Sequence, residues 1–191
     1  MQNDSLERSL LQSEIEAFHN WIVRKGRFHE RNWHLTFMFK QLPSKETAIK
    51  AMMRDEVERV YSILLTREVR RPHSCFAERQ MPIFVGCPDL PVLKRDKVTR
   101  RLVIANSGWH FNGVLVLSSF SRGNFDPETD FERLRHLFCP AERRLERIES
   151  TRIEYGSMVD YSMKALKNGR VGWDDILILP KSQSELAWGD P

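Results

Sequence analysis

An α+β fold with a mainly antiparallel sheet flanked by helices is what this sequence predicts, and three observations predict it. Strand-like apolar runs come in groups, with helical stripes between the groups. Two of those runs, residues 102–105 and 111–117, are separated by the turn-forming Asn106-Ser107-Gly108, as the strands of an antiparallel hairpin are. Hydrophobic residues make up 41% and charged residues 29% of the 191, a globular balance rather than a disordered one.

The elements follow in order. Residues 5–25 read as a helix, because Leu11, Ile15, Phe18 and Ile22 form one stripe and Gly26 stops it. Residues 33–39 are rich in aromatic and β-favouring types and read as a buried strand. After Pro43, Ser44 is the expected cap of a long helix to about Glu68, with Ile49, Met53, Val57, Val60 and Leu64 on its apolar face. Pro82 to Val85 is a short strand closed by Gly86 and Pro88, ahead of the predicted hairpin. Asp126-Pro127 opens a helix to about Phe138, with proline where its missing N–H does no harm. The mixture from Ala141 to Ser150 fits no single template, Thr151–Tyr155 is strand-like, and Ser157–Asn168 is a helix stopped by Gly169. Ile176–Leu179 is the last strand, and residues 180–191 are a loose tail. The expected organisation is a single domain over 1–191, with an N-terminal helix over 1–28 and a core over 33–179.

Composition narrows the setting. A chain of this length buries about 70% of its extended surface and needs no metal or disulfide staple. Three scattered cysteines, Cys75, Cys87 and Cys139, make neither a disulfide framework nor a zinc pair. No apolar run approaches the roughly 18 residues of a membrane span, and Met1-Gln2-Asn3-Asp4 lacks the basic and apolar regions of a signal peptide. The expectation is a cytoplasmic protein with no membrane partner. A net charge of +4 is mild, so any nucleic-acid site must be a local patch.

Three segments carry candidate chemistry. In Trp109-His110-Phe111-Asn112-Gly113, residues two apart share a strand face, so His110 and Asn112 stand side by side and Phe111 points into a core. Such a pair is half of a divalent-metal site; a strand histidine also serves as a hydrogen-bonded structural residue. Gly113 leaves room for a backbone or a ligand. On the late helix, Tyr161 and Lys164 share a face. A phenol titrating near pH 10 needs a nearby cation to act as a nucleophile, and an ammonium supplies one. The alternative is a core Tyr161, with Lys164 paired to Asp160. Leu35-Thr36-Phe37 is ordinary strand sequence, but His34 and Thr36 share a face, which makes His34 a further polar contributor. Lys94, Arg95, Lys97, Arg100 and Arg101 lie between two predicted strands, where they either track a phosphate backbone or form a solvated loop. Arg67, Arg70 and Arg71 form a second basic cluster, and Trp109 and Phe120 are the aromatics available to stack bases.

An apolar strand with threonine, a histidine-centred strand motif and Tyr-x-x-Lys on a late helix, in that order over residues 33–168, resemble the rolling-circle replication initiators of plasmids and filamentous phages. These belong to the HUH endonuclease superfamily. The resemblance implies an antiparallel sheet with an RRM-like or ferredoxin-like core. It also implies Mg²⁺ or Mn²⁺ that polarises a scissile phosphate of single-stranded or hairpin DNA. Tyr161 would attack to give a 5′-phosphotyrosine and a free 3′-hydroxyl, with Lys164 stabilising charge, His110 ligating the metal and a host replication helicase as a partner. Where the family has a second histidine this chain has Asn112. An acidic third ligand on the preceding strand is not evident from the sequence, which leaves Asn106 or His34 for that role. A DNA-binding replication or regulatory module of the same fold, without catalysis, is the alternative, and the chain is too short for an appended helicase domain.

Overall fold

Aromatic and β-branched residues build the first strand, β1 (Arg31–Phe39), whose Trp33, Leu35, Phe37 and Phe39 alternate onto one buried face. The structure, a computed structural model, describes residues 13, 16, 20, 31–42, 44–74, 77, 80–89, 109–153, 166 and 171–181. Helix α1 (Glu46–Glu68) follows and buries the expected stripe of Ile49, Met53, Val57, Val60 and Leu64. Its cap is Lys45 rather than Ser44, with no side-chain hydrogen bond at that end. Of the expected helix over 5–25, Ser13, Glu16 and Asn20 are described, and each is helical and exposed.

Strand β2 (Ile83–Asp89) runs four residues beyond the expected end at Val85. Gly86 and Pro88 do not stop it, because β3 (His110–Leu117) pairs with it along its whole length. Proline at 88 is tolerated because β5 (Leu177–Leu179) pairs with β2 only from Phe84 to Gly86, and among the described residues no strand pairs with the outer side of β2 beyond that point. Residues 101–108, which hold the first strand of the expected hairpin and its turn, lie outside the described residues.

Asp126 caps α2 (Pro127–Arg133) by accepting from the Glu128 N–H at 3.3 Å. The backbone leaves helical geometry at Leu134, so one expected helix becomes two, the second being α3 (Arg135–Phe138). Strand β4 (Leu145–Arg152) takes up the stretch that fitted no template. A 3₁₀ turn at Trp173–Asp175 precedes β5 (Leu177–Leu179).

The described strands form one antiparallel sheet in the order β4-β1-β3-β2-β5. Helices α1, α2 and α3 cover the same side of it. Their buried residues join the core-facing side chains of the strands in one cluster, in which Phe125, Phe131 and Phe138 pack edge to face. Gly86 and Gly113 are opposite one another on this face, and the Phe84 ring fills the space a Cβ would need at Gly113. The room expected for a ligand at Gly113 is therefore taken by the protein's own core. The other face carries the polar residues considered next.

Candidate functional site

Antiparallel register decides which side chains meet, because directly paired residues share a face. On the face away from the helices, one cross-strand row holds Arg147, Met38, His110 and Asp89. The next holds Glu149, Thr36, Asn112 and Cys87, and the third holds Thr151, His34, Val114 and Val85. The threonine of the first segment and the asparagine of the second, 76 residues apart in sequence, are thus direct neighbours.

The side chains bear this out. Thr36 Oγ1 donates to Asn112 Oδ1 at 2.9 Å, and Asn112 Nδ2 donates toward Asp89 Oδ2 at 3.4 Å. The same carboxylate oxygen lies 3.6 Å from His110 Nε2. Asn112 is 1% exposed and Asp89 9%, so this is a desolvated polar patch rather than a solvated rim. A patch of valines, Val85, Val114 and Val116, borders it on the same face.

His34 stands one row further along, buried beside those valines. Burial pulls its pKa down from 6.5 to about 4, and the charge of His110 acts in the same direction. His34 is therefore neutral at pH 7. The linkage sign follows: between pH 6.5 and 4 the unfolded chain takes up this proton and the native state does not, so stability falls as pH falls through that window. Urea unfolding in EDTA at pH 7.5 and 5 is expected to show that decline, and His34→Gln to flatten it. An identical decline in the variant would mean that His34 does not drive it. Burial likewise pushes the Cys87 thiol up to about 12, with Asp89 and Asp175 contributing, so this cysteine is not a thiolate nucleophile at neutral pH.

Of the residues singled out from sequence, His34, Thr36, His110 and Asn112 come together on this face. Asn106, Tyr161, Lys164, Lys94, Arg95, Lys97, Arg100 and Arg101 lie outside the described residues. Trp109 is not an open stacking surface: it is 7% exposed, belongs to the apolar core and has Lys50 Nζ 5.8 Å from its ring centroid. Lys50 is held there by Asp175 at 2.8 Å and Glu46 at 3.1 Å. Phe120, by contrast, is 67% exposed.

Asp89 is the member that sequence reasoning missed. Its signal was a period of two continued from Val85 through Cys87 to Asp89, obscured by reading Gly86 and Pro88 as a strand end. It is an acid on the strand that precedes β3, and it pairs with His110.

The donor types fit a hard divalent cation: one imidazole, one carboxylate and one carboxamide, with Asp89 Oδ2 close to both of the others. The third member is an amide. Among the described residues no group of three or more His, Cys, Asp or Glu is placed to hold a metal. Thr36 can accept as well as donate, so the amide can turn its oxygen toward the carboxylate side without stranding its nitrogen. Among the described residues no helix is long and apolar enough to cross a membrane. No family model, curated protein or solved structure matches this chain.

Proposed function

We propose that the protein is a replication-initiator-like endonuclease that nicks and rejoins single-stranded DNA through Tyr161, with His110, Asp89 and Asn112 holding Mg²⁺ or Mn²⁺. One observation carries this reading. Thr36 of the first motif and Asn112 of the second are hydrogen-bonded partners, and an acid of the preceding strand completes a convergent patch with His110. Further support comes from the frame, strand-helix-strand-strand-helix-strand with the order β4-β1-β3-β2. A split βαβ or ferredoxin-like core has that arrangement, with the Asp89–His110–Asn112 patch on the sheet face away from the helices.

Roles follow from the chemistry of each group. A bound divalent cation would supply Lewis-acid polarisation of the scissile phosphate. Asp89 and His110 would hold it, and Thr36 positions the Asn112 amide. The Tyr161 oxygen forms a bond to phosphorus as the bond to the 3′-oxygen breaks. The proton that the phenol gives up passes through solvent to that oxygen, and the new 3′-hydroxyl reverses the step on rejoining. Lys164 lowers the cost of the phenolate and of charge on the phosphate.

The test is a covalent adduct. Wild-type protein with Mn²⁺ and a panel of labelled single-stranded and hairpin oligonucleotides should give a protein–DNA species that survives denaturing electrophoresis. That species should vanish with EDTA and in Tyr161→Phe. Absence across the panel, or persistence in the phenylalanine variant, would refute the mechanism.

A second reading has its own support. The Asn112 amide is already satisfied within the protein, accepting from Thr36 and donating toward Asp89, so the patch is self-consistent without a cation. On that reading the protein is a DNA-binding replication or regulatory module. Salt-dependent oligonucleotide binding with no adduct under any metal distinguishes it.

A further inference from the structure

A second feature lies at the other end of the sheet, where β1 begins and β3 ends. Here a cavity of about 450 Å³ is lined by Arg67, Arg122 and Arg133, with Glu68, Asp130 and Phe125 completing its wall. The charges do not cancel. Glu68 Oε2 lies 3.9 Å from Arg31, and Asp130 is held by Arg133 at 2.5 Å. Arg67 shares the Asp130 charge with Arg133, and among the described residues no carboxylate pairs with Arg122, so the wall keeps more positive than negative charge. Arg67 sits in the last turn of α1, a place the helix dipole favours for a cation. Arg122 comes from a different segment, and the dipole does not account for it.

The loop that presents Arg122 is fixed. Glu68 is fully buried; its carboxylate accepts from Ser121 Oγ at 2.5 Å and from the Phe125 N–H at 3.3 Å, while its backbone oxygen accepts from the Arg122 N–H at 3.0 Å. A side chain at Gly123 would overlap that carboxylate, so a larger residue there would push Glu68 out of its hydrogen bonds to the loop. Arg31 donates to the carbonyls of Gly123 and Phe125 from the other side. Two residues before Arg122, on the same loop, is the exposed Phe120. Arg70 and Arg71, also exposed, extend the basic surface from the end of α1.

We propose that this cavity binds a phosphate group through Arg67 and Arg122, as part of a single-stranded nucleic acid whose base stacks on Phe120. Two guanidiniums carried on separate segments, the loop of one fixed by its backbone to the end of α1, make an anion site, and a neighbouring aromatic turns a phosphate site into a nucleotide site. The site stands on this geometry and takes only the identity of its polyanion from the nuclease reading above. With that reading it gives the strand a second anchor, at the opposite end of β1 and β3 from Asp89 and His110.

Binding in EDTA tests it without any cleavage. Fluorescence anisotropy of the full chain with a labelled single-stranded oligonucleotide is measured across a salt series for wild type, Arg67→Ala/Arg122→Ala and Phe120→Ala. Thermal melts check that each variant folds. The double variant should bind about tenfold more weakly at low salt, with a log–log salt slope shallower by about 0.7 for one lost phosphate contact. Phe120→Ala should weaken binding at least about fivefold, with the slope unchanged. Unchanged affinity and slope in the folded double variant would overturn the proposal. Inorganic phosphate titrated by calorimetry separates the sources. If the arginine pair is needed for millimolar phosphate binding but not for the oligonucleotide, the site is one for free phosphate, and the strand assignment is wrong. An adduct that never forms in wild type refutes the nuclease reading and leaves these binding results standing; an adduct that forms equally well in a double variant with unchanged affinity does the reverse.

Discussion

Alanine at position 110 is expected to slow Mn²⁺-dependent nicking by about a thousandfold while leaving the protein folded. His110 opens β3 on the face away from the helices and is no part of the aromatic core between sheet and helices, so that packing is untouched when the ring is removed. What goes is the one imidazole of the patch, leaving the Asp89 carboxylate and the Asn112 amide. Lewis-acid stabilisation of a phosphoryl transition state is worth several kcal/mol, and about 4 kcal/mol corresponds to that factor in rate. Single-turnover nicking at saturating oligonucleotide isolates the chemical step, and oligonucleotide affinity in EDTA should be unaltered. A rate within a few fold of wild type would remove His110 from the mechanism.

The largest expected effect on stability is at Phe37. It lies at the middle of β1, 1% exposed, with its ring edge-on to Phe84 at 5.7 Å and to Phe111 at 6.4 Å. Those three rings come from the three central strands, so truncation opens a hole in the layer between sheet and helices. Phe37→Ala should cost about 3–5 kcal/mol, the usual range for a core phenylalanine. That is a large part of the stability of a typical domain, about 5–15 kcal/mol. Urea denaturation monitored by circular dichroism measures it, with Phe37→Leu as the variant that keeps most of the volume and loses much less. A loss under about 1 kcal/mol for alanine would mean that the aromatic layer does not anchor the sheet.

Sequence reasoning succeeded where one side of an element faces the core and the other does not. The α1 stripe is legible because Ile49, Met53, Val57, Val60 and Leu64 recur at helical spacing, although Glu56, Tyr61 and Glu68 are buried beside them. It failed at β4, where Leu-Glu-Arg-Ile-Glu-Ser-Thr-Arg buries only Leu145 fully. Among the described strands β4 has a neighbour on one side alone, β1, and a strand at an edge is free to be polar in sequence. It failed again at Pro88, since a proline stops a strand only where its N–H is needed, and the register that makes it harmless depends on residues far away in sequence.

The patch was half legible for the same reason. His110 and Asn112 are neighbours through local alternation alone, and so are His34 and Thr36. Their meeting across the sheet depends on pairing Thr36 with Asn112, which local spacing does not encode. Asp89 joins them only once β2 is carried through to its end. Trp109 misled for the opposite reason, because nothing near it in sequence announces that Lys50 of α1 covers its ring.

Titration of Mn²⁺ into the metal-free protein, with the free ion followed by electron paramagnetic resonance, tests most directly whether the Asp89–His110–Asn112 patch is a cation site. Wild type should show one saturable site, weakened at least about tenfold in Asp89→Asn and again in His110→Ala. A wild-type protein that takes up no Mn²⁺, or variants that bind it as tightly as wild type, would contradict the account.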